Sequence, residues 1–140
     1  MILLDTNVLS ELMKPSPDRR VIAWLDRQPR TSIWTTSITI FEIRFGLQIL
    51  EAGKKRKAMN EALEVLLANK LERRVAVFDL SAAQHTAVLM AERQKVGRRG
   101  ELRDSMIAGV ALARNANLAT GNVRHFQDLP LKVVNPWSEN

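Results

Sequence analysis

Apolar residues recur along the chain in two alternating rhythms. Ile2-Leu3-Leu4 is a short unbroken apolar run, as expected of a strand buried on both faces, and Asp5 stands at its carboxyl end. Val8, Leu9, Leu12 and Met13 then follow at helical spacing until Pro15-Ser16-Pro17 breaks the stripe. Val21, Ile22, Trp24 and Leu25 mark a second helix that ends near Pro29. Ile33-Trp34-Thr35-Thr36 reads as a strand. Thr36 or Ser37 caps the helix that carries Ile38 to Leu50, and Gly53 stops it. Met59, Ala62, Leu63, Leu66 and Leu67 form an amphipathic stripe.

Val75–Phe78 is the next strand, and Ser81 with Gln84 suggests a capping box for the helix after it. Gly97 and Gly100 flank a basic loop. A helix from about Arg103 to Arg114, a strand at Asn117–Thr120, a Gly121-Asn122 turn and a strand at Lys132–Val134 complete the order. Strands that alternate with helices predict an α/β fold with a parallel sheet covered on both faces. In such sheets the functional crevice lies beyond the carboxyl ends of the strands. With 140 residues and no linker or repeat, one domain over residues 1–140 is expected.

Composition narrows the chemistry. There is no cysteine, which excludes disulfides and thiolate metal sites. No apolar run is long enough to span a bilayer, and the N-terminal one is too short for a signal peptide, so a cytoplasmic location is expected. The formal charge of +6 favours an acidic partner, with nucleic acid the commonest. Basic residues cluster at 54–57, at Arg73-Arg74 and between Arg93 and Arg103.

Three carboxylates then stand out. Asp5 follows the first strand, where it can also cap a helix. Asp104 lies at a helix start, where the helix dipole also favours it. Glu42 is mid-helix, with Ile38, Phe45, Gly46 and Ile49 as its neighbours on an apolar face. A carboxylate buried there must be protonated, bound to a cation or paired, for example with Arg44 or an arginine from elsewhere. If the three converge, a divalent cation relieves their repulsion, and oxygen-only donors favour Mg²⁺ or Mn²⁺ over Zn²⁺.

The segments M-I-L-L-D-T-N-V-L-S-E-L, T-T-S-I-T-I-F-E-I-R-F-G, L-R-D-S-M-I-A, L-A-T-G-N-V-R-H-F and V-V-N-P-W stand in that order from residue 2 to residue 137. Together they resemble the PIN-domain proteins of the VapC/FitB-type toxin subfamily. The resemblance implies a three-layer α/β/α sandwich and a Mg²⁺- or Mn²⁺-dependent endoribonuclease. It implies Asp5, Glu42 and Asp104 as the catalytic, metal-binding acids, with Asn122 at a fourth position. Thr6, Asn7, Ser37, Arg103, Thr120 and His125 become candidates for orienting ligands or substrate. Here T-G-N replaces the usual T-R-N, and His125 stands where many relatives carry Asp. His85 reads as structural. The resemblance also implies an antitoxin whose segment enters the acidic site, and a homodimer, for which Trp24 and the Met59–Leu67 stripe are either interface or core.

Two other readings use the same residues. A non-catalytic nucleic-acid-binding or regulatory module would need only the basic surface, and its binding would survive chelation. A phosphoacceptor receiver domain would use Asp79 after the Val75–Phe78 strand, but no later strand ends in a suitable lysine.

Overall fold

The computed structural model describes residues 1–138. Five strands form one parallel sheet: β1 (Ile2–Leu4), β2 (Ile33–Thr36), β3 (Val75–Ala76), β4 (Asn117–Ala119) and β5 (Val133–Val134), in spatial order β3-β2-β1-β4-β5. The first strand is therefore central, with Leu4 opposite Thr35 on one side and Ala119 on the other. The chain winds outward through β2 and β3, then returns to place β4 against the free side of β1. Between β1 and β4 the winding reverses, and a crevice opens beyond their carboxyl ends.

The helices are α1 (Thr6–Leu12), α2 (Arg19–Asp26), α3 (Ser37–Ile49), α4 (Lys54–Val65), α5 (Leu80–Lys95) and α6 (Leu102–Arg114). Alternate residues of β1 serve opposite layers. Leu4 packs with Val8, Val21, Trp24, Ile43, Leu63 and Leu67 from α1 to α4 and the turn that follows. Leu3 packs with Leu118, Phe126 and the α5–α6 pair. The result is the expected α/β/α sandwich. Among the described residues no helix is long and apolar enough to cross a membrane.

The α5–α6 pair touches at a glycine. A β-carbon at Gly109 would lie 1.8 Å from the Thr86 hydroxyl, which itself donates to the Ala82 carbonyl at 2.7 Å. Only a residue without a side chain permits this approach.

Several local expectations change. Asp79, rather than Ser81, caps α5, accepting from Ala82 N at 2.9 Å. β3 stops at Ala76 because the hydroxyl of Ser37 takes the Phe78 N–H at 2.9 Å. Gly53 begins α4, after α3 has already ended at Ile49. Trp24, Leu63, Leu66 and Leu67 are all buried within the chain, so they belong to the core and not to an exposed interface.

Candidate active site

Asp5 is where the sheet, a helix and the crevice meet. Its backbone N–H continues the β1–β4 ladder to the Ala119 carbonyl at 2.9 Å, and its side chain caps α1 through Thr6 N at 2.8 Å. The capping role and the site role thus coexist. The second carboxylate oxygen accepts from the Thr120 hydroxyl at 2.7 Å and from the Asn7 amide at 3.3 Å. Asn7 also accepts from Gly121 N at 2.8 Å, and Thr120 Oγ1 accepts from Asn122 N at 3.0 Å. Thr120 and Asn7 therefore join β1 to the turn after β4 while orienting Asp5.

The Asp5 carboxylate is only 2% exposed, and no cation of the chain pairs with it among the described residues. Burial is the main cause of its raised pKa, about 6, against the lowering effect of the Thr120 and Thr6 hydrogen bonds. The negative charges of Asp104 and Glu42 push it further in the same direction. Asp104 and Glu42 are thus close enough for their charges to be felt at Asp5.

Glu42 reaches the crevice from α3. Thr6 Oγ1 donates to its Oε1 at 2.7 Å, and Arg103 Nε lies 3.8 Å from its Oε2. Its partner is thus Arg103 and not Arg44, which pairs with Glu64. The apolar face around it also differs from expectation. Phe45 and Ile49 are 49% and 70% exposed, because the face α3 buries is the one carrying Ile43 and Leu47. Phe41 stacks on Phe45 with ring centroids 6.2 Å apart, in the open.

Asp104 sits in the first turn of α6, which Glu101 caps by accepting from Asp104 N at 3.2 Å. Its Oδ2 lies 2.7 Å from His125 Nδ1. Arg103 lies between Glu42 and Glu101, 3.3 Å from the latter. Asn122 is exposed, and its side-chain amide has no partner among the described residues. Ser37 lies just past the carboxyl end of β2, bonded to Phe78, and the exposed His85 bonds the Ser81 carbonyl one turn back in its own helix at 2.9 Å. Gly121 faces Trp137: a β-carbon there would come within 3.0 Å of the indole ring. The indole thus explains why this chain has glycine in the T-G-N turn.

As they lie, the acids are engaged with Thr6, Arg103 and His125. Among the described residues no three acidic or imidazole groups close round a single point. Their donors are nonetheless all hard oxygens, and the crevice carries uncompensated negative potential at Asp5. A hard divalent cation fits that donor set.

The sequence reading missed two features here. Arg93 is 3% exposed and holds Asp128 through two hydrogen bonds of 2.7 and 2.8 Å, while also donating to the His125 carbonyl and Ser105 Oγ. The signal was present in its spacing: Ala82, Thr86, Leu89 and Arg93 form the single buried stripe of α5. The second feature is a cleft of about 190 Å³ beside Asp104, lined also by Glu101, Arg98, Arg99, Arg124 and His125.

Comparison with known proteins gives the family and fold. The PIN-domain family profile matches residues 2–131. VapC ribonuclease Y4jK of Sinorhizobium fredii is 41% identical over 137 residues, covering 98% of each chain. Toxin FitB of Neisseria gonorrhoeae is 34% identical over 139 residues, covering 99% of this chain and 100% of that protein. The crystal structure of FitAcB from Neisseria gonorrhoeae superposes with a TM-score of 0.88 at 34% identity, over 99% of this chain and 100% of that one.

Proposed function

The chain belongs to the PIN-domain family, and from that premise we propose that it is a Mg²⁺- or Mn²⁺-dependent endoribonuclease, the toxin of a toxin–antitoxin pair. The observation that carries this reading is the buried Asp5 carboxylate, left without a cation and facing Asp104 and Glu42. The relatives named ribonuclease and toxin support the substrate and the biological class. Residues 1–140 act in this reading as one domain.

Asp5 and Asp104 would hold the ion, with Glu42 bound directly or through water and Asn122 available as a further oxygen donor. The chemistry the ion supplies when bound is acidification of a water and neutralisation of phosphate charge. The chain's own groups prepare the site. Thr6 N, Thr120 and Asn7 fix both oxygens of Asp5, Thr6 Oγ1 fixes Glu42, and His125 fixes Asp104. Hydrolysis forms a bond from the water oxygen to phosphorus and breaks the P–O3′ bond. The departing oxygen takes a proton, which leaves a 5′-phosphate and a 3′-hydroxyl.

The partner in this reading is an antitoxin from the same operon. A basic side chain from it, inserted among the three acids, would compete with the ion for them. An apolar groove of about 630 Å³ between α1, α2 and α4, lined by Leu12, Met13, Ile22, Met59 and Val65, offers its flanking segment a seat. The exposed Phe41–Phe45 pair and Ile49 support pairing with a second copy, which sedimentation of the purified chain would test.

The decisive experiment incubates total cellular RNA with the purified protein, with Mg²⁺ or with EDTA, beside an Asp5→Ala variant, and maps the new ends. Cleavage that requires the ion and Asp5 and leaves 5′-phosphates is expected. Binding without cleavage under all conditions would replace this reading with a nucleic-acid-binding module.

A further inference from the structure

Resting on the nuclease reading, we propose that the cleft beside Asp104 is a phosphate subsite, which seats an RNA backbone phosphate next to the one that is cut. Arg99 and Arg124 are its cationic contacts. The cleft lies between the loop after α5, the start of α6 and the 3₁₀ turn Val123–Phe126. Its acids are already matched, Asp104 with His125 and Glu101 with Arg103. Its guanidinium groups are not. Arg98 is drawn to Asp128 at 3.7 Å and to the Arg124 carbonyl at 2.8 Å. The side chains of Arg99 and Arg124 have neither an acid nor a hydrogen-bond partner among the described residues.

Arg19 and Arg114 also lack a carboxylate partner among the described residues, but neither lines this cleft. Arg20, Arg30, Arg44 and Arg74 each have a carboxylate within 3.3 Å. Two unmatched guanidinium groups lining one cleft call for an anion. A phosphodiester suits them, because the planar fork of arginine matches paired phosphate oxygens.

The cleft is also built rigidly. The buried Arg93 guanidinium ties together its two banks. It binds Asp128 and the His125 carbonyl on one side and Ser105 on the other. Its own carbonyl accepts from Arg98 N at 2.8 Å, and a β-carbon on Gly100 would come 2.7 Å from its Nη1. The loop that carries Arg99 is thus clamped close to the turn that carries Arg124. Because Asp104 lines this cleft and its charge is felt at Asp5, the cleft adjoins the proposed acidic site.

The test is a salt titration of RNA binding. A fluorescein-labelled single-stranded RNA pool of random sequence is bound in EDTA across a NaCl series, and its cleavage is followed separately in Mg²⁺. For the Arg99→Ala/Arg124→Ala double variant the slope of log affinity against log salt should shrink by about 1.4, roughly 0.7 per lost contact, with affinity at low salt falling about ten-fold. Cleavage at sub-saturating RNA should fall in parallel, while the rate at saturation is kept. Arg99→Lys/Arg124→Lys should retain the slope. Lys54→Ala/Lys55→Ala, which removes two charges from the opposite helical layer, should reduce it less. A wild-type slope in the double alanine variant, or a loss no larger than that of the Lys54/Lys55 pair, overturns the subsite. Loss of antitoxin binding with RNA binding unchanged overturns it too and assigns the cleft to an acidic protein segment. If the wild-type protein neither binds nor cleaves RNA, the nuclease reading falls with it.

Discussion

Two buried charges, both close to the crevice, are treated in opposite ways. Arg93 is enclosed and fully matched: a bidentate carboxylate, a carbonyl and a hydroxyl absorb its donors. Asp5 is as deeply enclosed, yet receives only a hydroxyl, an amide and a backbone N–H, and it faces two further acids. One is an arrangement the fold completes by itself. The other is left without a cation of the chain beside it among the described residues, and on the proposed reading that is the place of an outside one. A matched buried ion pair holds segments in place, whereas an unmatched one stores a demand for a ligand.

That contrast can be broken most forcefully at Asp5. Asp5→Asn keeps the shape and removes the charge, and RNA cleavage in Mg²⁺ should become undetectable while circular dichroism shows an intact fold. Retained cleavage would end the assignment. At the matched site the effect should fall on stability. Arg93→Met leaves Asp128 with only Arg98 and solvent and unties Ser105 from the 125–128 turn, so denaturant unfolding should show a loss of about 1.5–3 kcal/mol.

The third expectation concerns pH. The folded-state pKa of Asp5 is raised to about 6 from its ordinary 3.8, so the folded chain keeps a proton that the unfolded chain has released. Stability is therefore fully present below about pH 4 and declines as pH rises through 6, reaching a cost of up to about 3 kcal/mol. In EDTA, the melting temperature of Asp5→Asn should equal that of wild type near pH 4 and exceed it near pH 7. Equal melting temperatures at both would mean that Asp5 is not strained by burial. The smallest effect belongs to Thr120, whose hydrogen bond lowers the Asp5 pKa. Thr120→Val should reduce cleavage about ten-fold, the lower end for loss of an outer partner of a metal ligand. It should also move the acid limb of the rate profile to higher pH.

Much of this was legible in residue order. The apolar run before Asp5 placed it at the end of a central strand, and the crevice rule then pointed to the end of the sheet where Asp5 stands. Glu42 was singled out for a reason that proved only half sound. Phe45 and Ile49 do share its face, but spacing cannot tell an apolar face turned to the core from one turned to solvent. Arg103 became its partner through packing of α3 near α6, which sequence separation hides. The strand Val75–Phe78 looked four residues long because β propensity does not register that a distant hydroxyl, that of Ser37, has taken the Phe78 N–H. Arg93 was the avoidable miss. Its place on the stripe of Ala82, Thr86 and Leu89 marked it as buried, and a buried guanidinium demands a partner.

The central position of β1 has a consequence in time. Asp5 is made before its neighbour Thr120, which lies 115 positions later, and β4 can pair with β1 only once both exist. The ordering of the Asp5 carboxylate therefore waits until β4 and the turn after it have been made. A nascent or truncated chain that stops short of Thr120 lacks the strand, the hydroxyl and the turn that hold Asp5 in place. On the nuclease reading, the acidic site is complete only after the residues of β4 and its following turn have joined β1.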